Sequence, residues 1–391
     1  MVGTRILRVL SVACVMIMVL TGFSMLVLAK KDDDSKVRVI VTFTENVDKD
    51  LVKKHGGQIR TEFSIVPGVA TELTQDEIKE LKMSDKIDDV EEDGVAEIAE
   101  QTTPWGITQI KANQAWAAVK GAGIKVAVMD TGIDANHPDL PIVAKGVKIL
   151  NGVTTENVYD DDNGHGTHCA GIIGALDNTD GVVGVAPAVS LYAIKVLDSS
   201  GSGYYSDMIK GFDWAITNQI QVISMSFGGT STTKALQNAC NNAQAKGIVL
   251  VAAAGNGGNS KILYPAAYSS VIAVGATGVS NVRASWSSYG SQLALVAPGV
   301  NIQSTYNDGA YTTMSGTSMA CPHVSGTAAL VLSTTIPTKY DTTPKNGKWD
   351  PAEVRNCLQQ TATDLGTKGW DKYYGYGLVN AYEAVTGNHG V

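Results

Sequence analysis

Charge is scarce in this sequence. Only 17% of its 391 residues are Asp, Glu, Lys or Arg, against roughly a quarter in soluble domains. With 44% apolar residues, that excludes a disordered chain. Five cysteines are too few for a disulfide scaffold. Proline is modest at 11 beside 41 glycines, and the mix fits neither a collagen nor a coiled coil. No internal repeat or low-complexity stretch is present. A mean hydropathy of +0.02 excludes a polytopic membrane protein. The formal net charge of −8 speaks against a protein that binds phosphate backbones. The length leaves room for one large domain and a small one.

The first 29 residues read as a secretory signal. Arg5 and Arg8 precede an apolar run from Val9 to Leu28. Val27 and Ala29 supply small residues in a −3/−1 arrangement ahead of the charged stretch Lys30–Asp34. Export is expected; the same run is also long enough to remain as a membrane anchor. Cys14 would leave with the signal. The remaining Cys169, Cys240, Cys321 and Cys357 have no pairing that sequence can fix.

The rest divides at about residue 99. In residues 30–99, 11 basic residues face 18 acidic ones; residues 100–391 carry 17 and 20. The first part shows strand-like ends at Val37–Phe43 and Ile87–Ile98 around a helical pattern near Thr74–Met83. From Gly123 onward, continuous apolar runs alternate with helical patterns. The runs are Lys125–Met129, Leu191–Leu197, Val222–Phe227, Ile248–Ala254, Val271–Thr277 and Leu293–Val296. Continuous rather than alternating runs are expected of parallel strands buried on both faces. The helices are predicted at Ser206–Thr217, Thr233–Ala245, Ser318–Thr334 and Pro351–Thr361. The pattern is that of a doubly wound α/β domain with a mostly parallel sheet.

Ligands of such sheets sit beyond the carboxyl ends of the strands. There the sequence places Asp130 in Met129-Asp130-Thr131-Gly132, Ser226 in Ile223-Ser224-Met225-Ser226, and Asn256 after Ala254-Gly255. Two further blocks carry chemistry. Asn163-Gly164-His165-Gly166-Thr167-His168-Cys169 flanks a histidine with glycines, and Gly316-Thr317-Ser318-Met319-Ala320-Cys321-Pro322-His323 puts a serine at a helix start. A serine hydroxyl needs a base to take its proton, histidine is the natural base near neutral pH, and a carboxylate fixes the histidine's tautomer. Each residue alone has a bland reading as a cap, a turn or a structural histidine; their joint occurrence carries the weight. His168, His137 and His323 read as structural. His165 and His168 stand three apart, but no third ligand has zinc-like spacing. Cys169 and Cys321 read as buried free thiols, with a redox role as the alternative.

These three blocks resemble the signatures of the subtilisin-like serine proteases, and the Asp…His…Ser order matches that family. The resemblance spans about residues 37–386. It implies an α/β catalytic domain over residues 100–391 and a ferredoxin-like α+β prosegment over 30–99 that chaperones folding and then inhibits. It further implies Ser318 as nucleophile, His165 as general base and acid, Asp130 as the orienting carboxylate and Asn256 as oxyanion donor beside the Ser318 N–H. Gly201-Ser202-Gly203 and Ser226-Phe227-Gly228 resemble the strands that pair with extended substrate. Leu263 matches the pocket floor for the residue before the cut, where a small residue is frequent; a shallower apolar pocket is expected. Leu176-Asp177-Asn178-Thr179-Asp180-Gly181-Val182 interrupts the helix begun near His165 and resembles the family's calcium loop. Asn178 would give a side chain, Leu176, Asp180 and Val182 carbonyls, and Asp139 and Gln101 the remaining ligands; such oxygens suit Ca²⁺. A second site near Asp341–Asp350 has nothing in the sequence to support it. Autocleavage after Ala99 is expected, as is a secreted monomeric endopeptidase acting on polypeptides and not on nucleic acid. A lipase is disfavoured because its serine comes first in chain order within G-x-S-x-G. An inactive binding module would lack a triad member or Asn256, and none is missing.

Overall fold

The computed structural model describes residues 35–94, 101–342 and 345–387. The expected signal and the expected cleavage point at Ala99 lie outside them. The chain forms two compact units that divide between Ile98 and Ala99.

The first unit runs β1 (Val37–Phe43), α1 (Lys49–Lys54), β2 (Thr61–Glu62), β3 (Gly68–Leu73), α2 (Gln75–Leu81) and β4 (Ile87–Glu92). Its sheet is antiparallel in the order β2-β3-β1-β4, the ferredoxin-like arrangement. Val39, Val41 and Phe43 alternate inward from β1 onto Val52, Val69, Leu73, Leu81 and Val90. Thr74 and Glu77 form a capping box that starts α2. The last strand ends at Glu92; the end of the run read to Ile98 lies outside the described residues.

The second unit opens with two short helices, α3 (Trp105–Gln109) and α4 (Ala112–Ala115). Strands β5 (Lys125–Asp130), β6 (Lys145–Leu150) and β7 (Val153–Glu156) precede α5 (His165–Gly174). Then follow β8 (Ser190–Lys195), α6 (Tyr205–Thr217), β9 (Val222–Met225), α7 (Lys234–Ala245), β10 (Val249–Ala253), β11 (Ile272–Thr277) and β12 (Leu293–Pro298). A hairpin, β13 (Ile302–Thr305) and β14 (Tyr311–Met314), leads into α8 (Thr317–Leu332), α9 (Pro351–Gln360) and α10 (Ala381–Thr386). The sheet order is β12-β11-β10-β9-β5-β8-β6-β7, parallel except for β7.

Both faces of this sheet are covered, which explains the continuous apolar runs. Along β5, Val126 and Val128 pack into one core with α5 and α8, while Ala127 and Met129 pack into the other with α6 and α7. The order reverses across β5, with β8 and β6 on one side and β9 to β12 on the other. Such a switch point opens a crevice at the carboxyl ends of the strands. Among the described residues no helix is long and apolar enough to cross a membrane.

Candidate active site

Asp130 is the last residue of β5 and His165 the first of α5. The His165 Nδ1–H donates to Asp130 Oδ1 at 2.7 Å. Asp130 is fully buried, and its Oδ1 also accepts the Thr131 N–H at 2.8 Å. The close approach depends on glycine: a methyl at Gly166 would stand 2.1 Å from the Gly132 carbonyl oxygen. Burial pulls the His165 pKa down, but the charge of Asp130 and its hydrogen bond together outweigh this and raise it above 6.5.

Ser318 is the second residue of α8, after the cap position Gly316. Its hydroxyl donates to the Ser226 carbonyl at 2.9 Å. Pro322 lies inside the helix four residues on and has no N–H to give the Ser318 carbonyl. That carbonyl instead accepts the Ser226 hydroxyl at 2.7 Å and the Cys169 thiol at 3.5 Å. The helix start is thereby tied to β9 and α5 by groups a regular helix would not need. Asn256 follows β10, and its Oδ1 accepts both the Thr317 N–H and the Thr317 hydroxyl at 2.9 Å. The amide nitrogen is thus turned the other way. A carbon built on Gly316 would lie 3.5 Å from Asn256 Nδ2 and 3.5 Å from Ser318 N, so the two donors border one small space at a helix N-terminus.

Around this centre, Gly201, Ser202 and Gly203 form an exposed loop after β8, and Ser226, Phe227 and Gly228 continue from β9. Leu263 is half-buried between two backbones. A methyl at Gly228 would meet its Cβ at 2.7 Å, and one at Gly255 its Cγ at 2.7 Å. Its side chain therefore fills the gap between the segments after β9 and β10.

The loop at 176–182 ends α5 rather than interrupting it, since the helix stops at Gly174. Gln101 Nε2 sits 2.7 Å from the Leu176 carbonyl, 3.1 Å from Asn178 Oδ1, 3.4 Å from the Asp180 carbonyl and 3.2 Å from the Val182 carbonyl. Four oxygens thus converge on one point. Asp139 is buried at its edge, accepting from Asn178 Nδ2 at 3.1 Å and the Val182 N–H at 2.7 Å. Desolvation by burial raises the Asp139 pKa. This donor set fits a hard divalent cation.

Two residues went unread in the sequence. Buried Asp161 accepts from the Thr131 hydroxyl (2.8 Å), Asn163 N (3.0 Å), Gly164 N (2.9 Å), Thr167 N (2.8 Å) and the Thr167 hydroxyl (2.6 Å), clamping the end of β5 to the start of α5. Buried Lys195 donates to the Thr131 carbonyl and, at 2.6 Å, to Asp162. The three other histidines singled out in the sequence are committed to the backbone. Burial holds His168 and His323 down at about 4. His168 Nε2–H faces the Ile302 and Thr312 carbonyls and His323 Nδ1–H the Met319 carbonyl. His137 Nε2–H donates to the Ala310 carbonyl. Cys169, Cys240, Cys321 and Cys357 are all free and buried, with thiol pKa values raised by burial.

Residues 121–377 match the Subtilase family. The chain is 47% identical to subtilisin E of Bacillus subtilis (strain 168) over 342 residues, which is 86% of this chain and 85% of the relative. It is 52% identical to subtilisin DY of Bacillus licheniformis over 290 residues (73% and 99%), and 45% identical to an alkaline protease of Shouchella clausii over 326 residues (83% and 80%). The chain belongs to the subtilase family. It is a subtilisin-like serine endopeptidase, and the fold, a mostly parallel sheet flanked by helices, is that of a subtilase.

Proposed function

We propose that this subtilase is an exported endopeptidase that cleaves polypeptides through an acyl-enzyme on Ser318, made as a self-processed and calcium-stabilised precursor. The observation that carries the catalytic assignment is the 2.7 Å bond between His165 Nδ1 and Asp130. It leaves Nε2 as the free ring nitrogen and fixes the tautomer in which Nε2 accepts a proton. In the resting structure the Ser318 hydroxyl donates to the Ser226 carbonyl; it must rotate to Nε2 as substrate binds. Attack on the scissile carbonyl would put negative charge in the space bordered by Asn256 Nδ2 and Ser318 N, whose dipoles are already set. His165 then gives its proton to the leaving amine, and a water takes the same path to release the acyl group. Extended substrate would lie between the Gly201–Gly203 loop and Ser226–Gly228, with the residue before the cut over Leu263.

Casein hydrolysis with and without a serine-directed fluorophosphonate tests the assignment. The reagent should abolish activity and label Ser318; activity surviving full labelling, or labelling elsewhere, would overturn it. Calcium binding would hold the 176–182 loop against Gln101 and Asp139. The expected result of chelation is a lower melting temperature in the wild type and no change in an Asp139→Ala variant. An unchanged wild-type melting point would remove calcium from the proposal.

A further inference from the structure

A second cavity lies at the opposite end of the sheet from the triad. It has a volume of about 460 Å³ and includes Ser269, Gln292, Arg355, Gln359, Trp370 and Tyr376 in its lining. Residues 267–271 precede β11, and residues 291–294 open β12. The cavity thus belongs to the amino ends of these parallel strands, while the triad stands at the carboxyl ends.

At its heart is an unbalanced cation. Arg355, on α9, donates from Nη1 to the Ser269 carbonyl at 2.5 Å and from Nη2 to the Val271 carbonyl. No carboxylate among the described residues forms an ion pair with it. Burial alone acts on its pKa, lowering it, with no opposing charge to restore it. A partly desolvated guanidinium without an acid is unfavourable. Two of its five N–H groups are used by the carbonyls, which leaves donors over. The walls are aromatic. Trp370 is 41% exposed and Tyr376 42% exposed, and the Trp370 indole N–H is held by the Leu293 carbonyl at 3.0 Å. The loop carrying Trp370 is itself tied down. Asp364 accepts the Gly369 N–H at 2.8 Å, and Asp371 accepts from Thr367 N at 3.0 Å and Tyr373 N at 2.7 Å. Gln292 and Gln359 add amide groups to the lining.

We propose that this cavity is a binding site for a carboxylate attached to an aromatic or apolar body, no larger than one or two amino acids. The guanidinium fork matches a carboxylate in geometry and charge. The exposed rings supply a flat apolar surface for the attached group. The volume falls within the range of small-molecule sites. Both a peptide C-terminus and a free aromatic acid have this chemistry.

The test is ligand-observed NMR titration of the full chain with N-acetyl-phenylalanine, its amide and benzoate, after fluorophosphonate treatment so that the active site makes no contribution. The expected result is saturable binding of N-acetyl-phenylalanine, at least tenfold weaker binding of the amide, and loss of binding in Gln359→Glu. That substitution puts a carboxylate one helical turn from Arg355, where it occupies the guanidinium and leaves the Ser269 and Val271 contacts in place. Casein hydrolysis by Gln359→Glu should match the wild type, which shows that the variant folds. Benzoate binding as tightly as N-acetyl-phenylalanine would assign the site to free aromatic acids; benzoate binding tenfold weaker would assign it to peptide C-termini. No saturable binding of either acid, equal binding of acid and amide, or binding unaffected by Gln359→Glu would overturn the proposal.

Discussion

With His165 as the proposed general base, its charge decides how this protease responds to pH. Burial alone would push its pKa down, and the Asp130 charge and hydrogen bond reverse the sign. The base must be neutral to act, so kcat/KM should fall as pH drops, with a midpoint above 6.5. Asp130→Asn removes the Asp130 charge and hydrogen bond and leaves burial opposed only by the charge of Asp161. The acid limb should then move to lower pH while kcat falls about 10⁴-fold, the size expected when a serine-protease histidine loses its orienting carboxylate. A pH–rate profile of the variant checks both, and an unmoved acid limb would show that another group sets it. At Leu263 the argument is steric. Its Cβ and Cγ lie 2.7 Å from where methyls at Gly228 and Gly255 would stand, so it shortens whatever pocket lies between those segments. Leu263→Gly should raise the preference for Phe or Tyr over Ala before the cut at least tenfold, since filling an apolar pocket with several carbons contributes about 1–3 kcal/mol. A peptide series with single changes at that position measures the ratio, and an unchanged ratio would move the pocket elsewhere.

Helix α5 starts where it does because of one carboxylate. The five donors that Asp161 accepts include three backbone N–H groups at or before the first turn of α5, the end favoured by negative charge. Asp161→Asn must turn an NH₂ toward donors in either orientation. The loss should be about 2–4 kcal/mol of stability, from broken charge-assisted bonds and stranded N–H groups. It should be read as a lower denaturant midpoint, with casein hydrolysis lost in parallel because His165 is the helix's first residue. A midpoint unchanged within about 0.5 kcal/mol would refute the clamp. The sequence could not show this residue, because Asp160-Asp161-Asp162 reads as a solvated charge run. Lys195 was hidden for the opposite reason: it sits in the apolar run of β8. Asp130, His165, Ser318 and Asn256, the proposed catalytic residues, could be singled out because glycines or other small residues lie close to each in the sequence. Among the elements, the buried strands β5 and β8 to β12 could be read from continuous apolar runs. Strands β6 and β7 and the hairpin β13–β14 could not. β7 is largely exposed and β14 alternates exposed with half-buried residues, so neither carries a long apolar signal. The short helices α3 and α4 rest on packing rather than on their own periodicity.

Across the molecule, acidity is concentrated in the first unit, with 18 acidic and 11 basic residues in 30–99 against 20 and 17 in 100–391. Among its described residues that unit has a core cluster of only eight buried apolar side chains, marginal for a domain on its own. The second unit sets a different problem. Its central strand β5 pairs with β8, 65 positions later at Lys125–Ser190, and with β9 beyond that. A sheet built from such distant pairings folds slowly, so a preceding segment that assists it and is then removed has a physical purpose. The two units divide between Ile98 and Ala99, one residue before the proposed cut after Ala99. If the protease makes the cut itself, wild-type protein should show a new N-terminus at Glu100 by mass spectrometry, and the Ser318→Ala chain should retain residues 30–99. Isoelectric focusing should report the same event as the loss of seven net negative charges, the difference between the 18 acidic and 11 basic residues removed. A cut after Ala99 that persists in Ser318→Ala, expressed in a protease-deficient host, would assign the processing to another enzyme. The triad itself would stand, since fluorophosphonate labelling of Ser318 tests it independently.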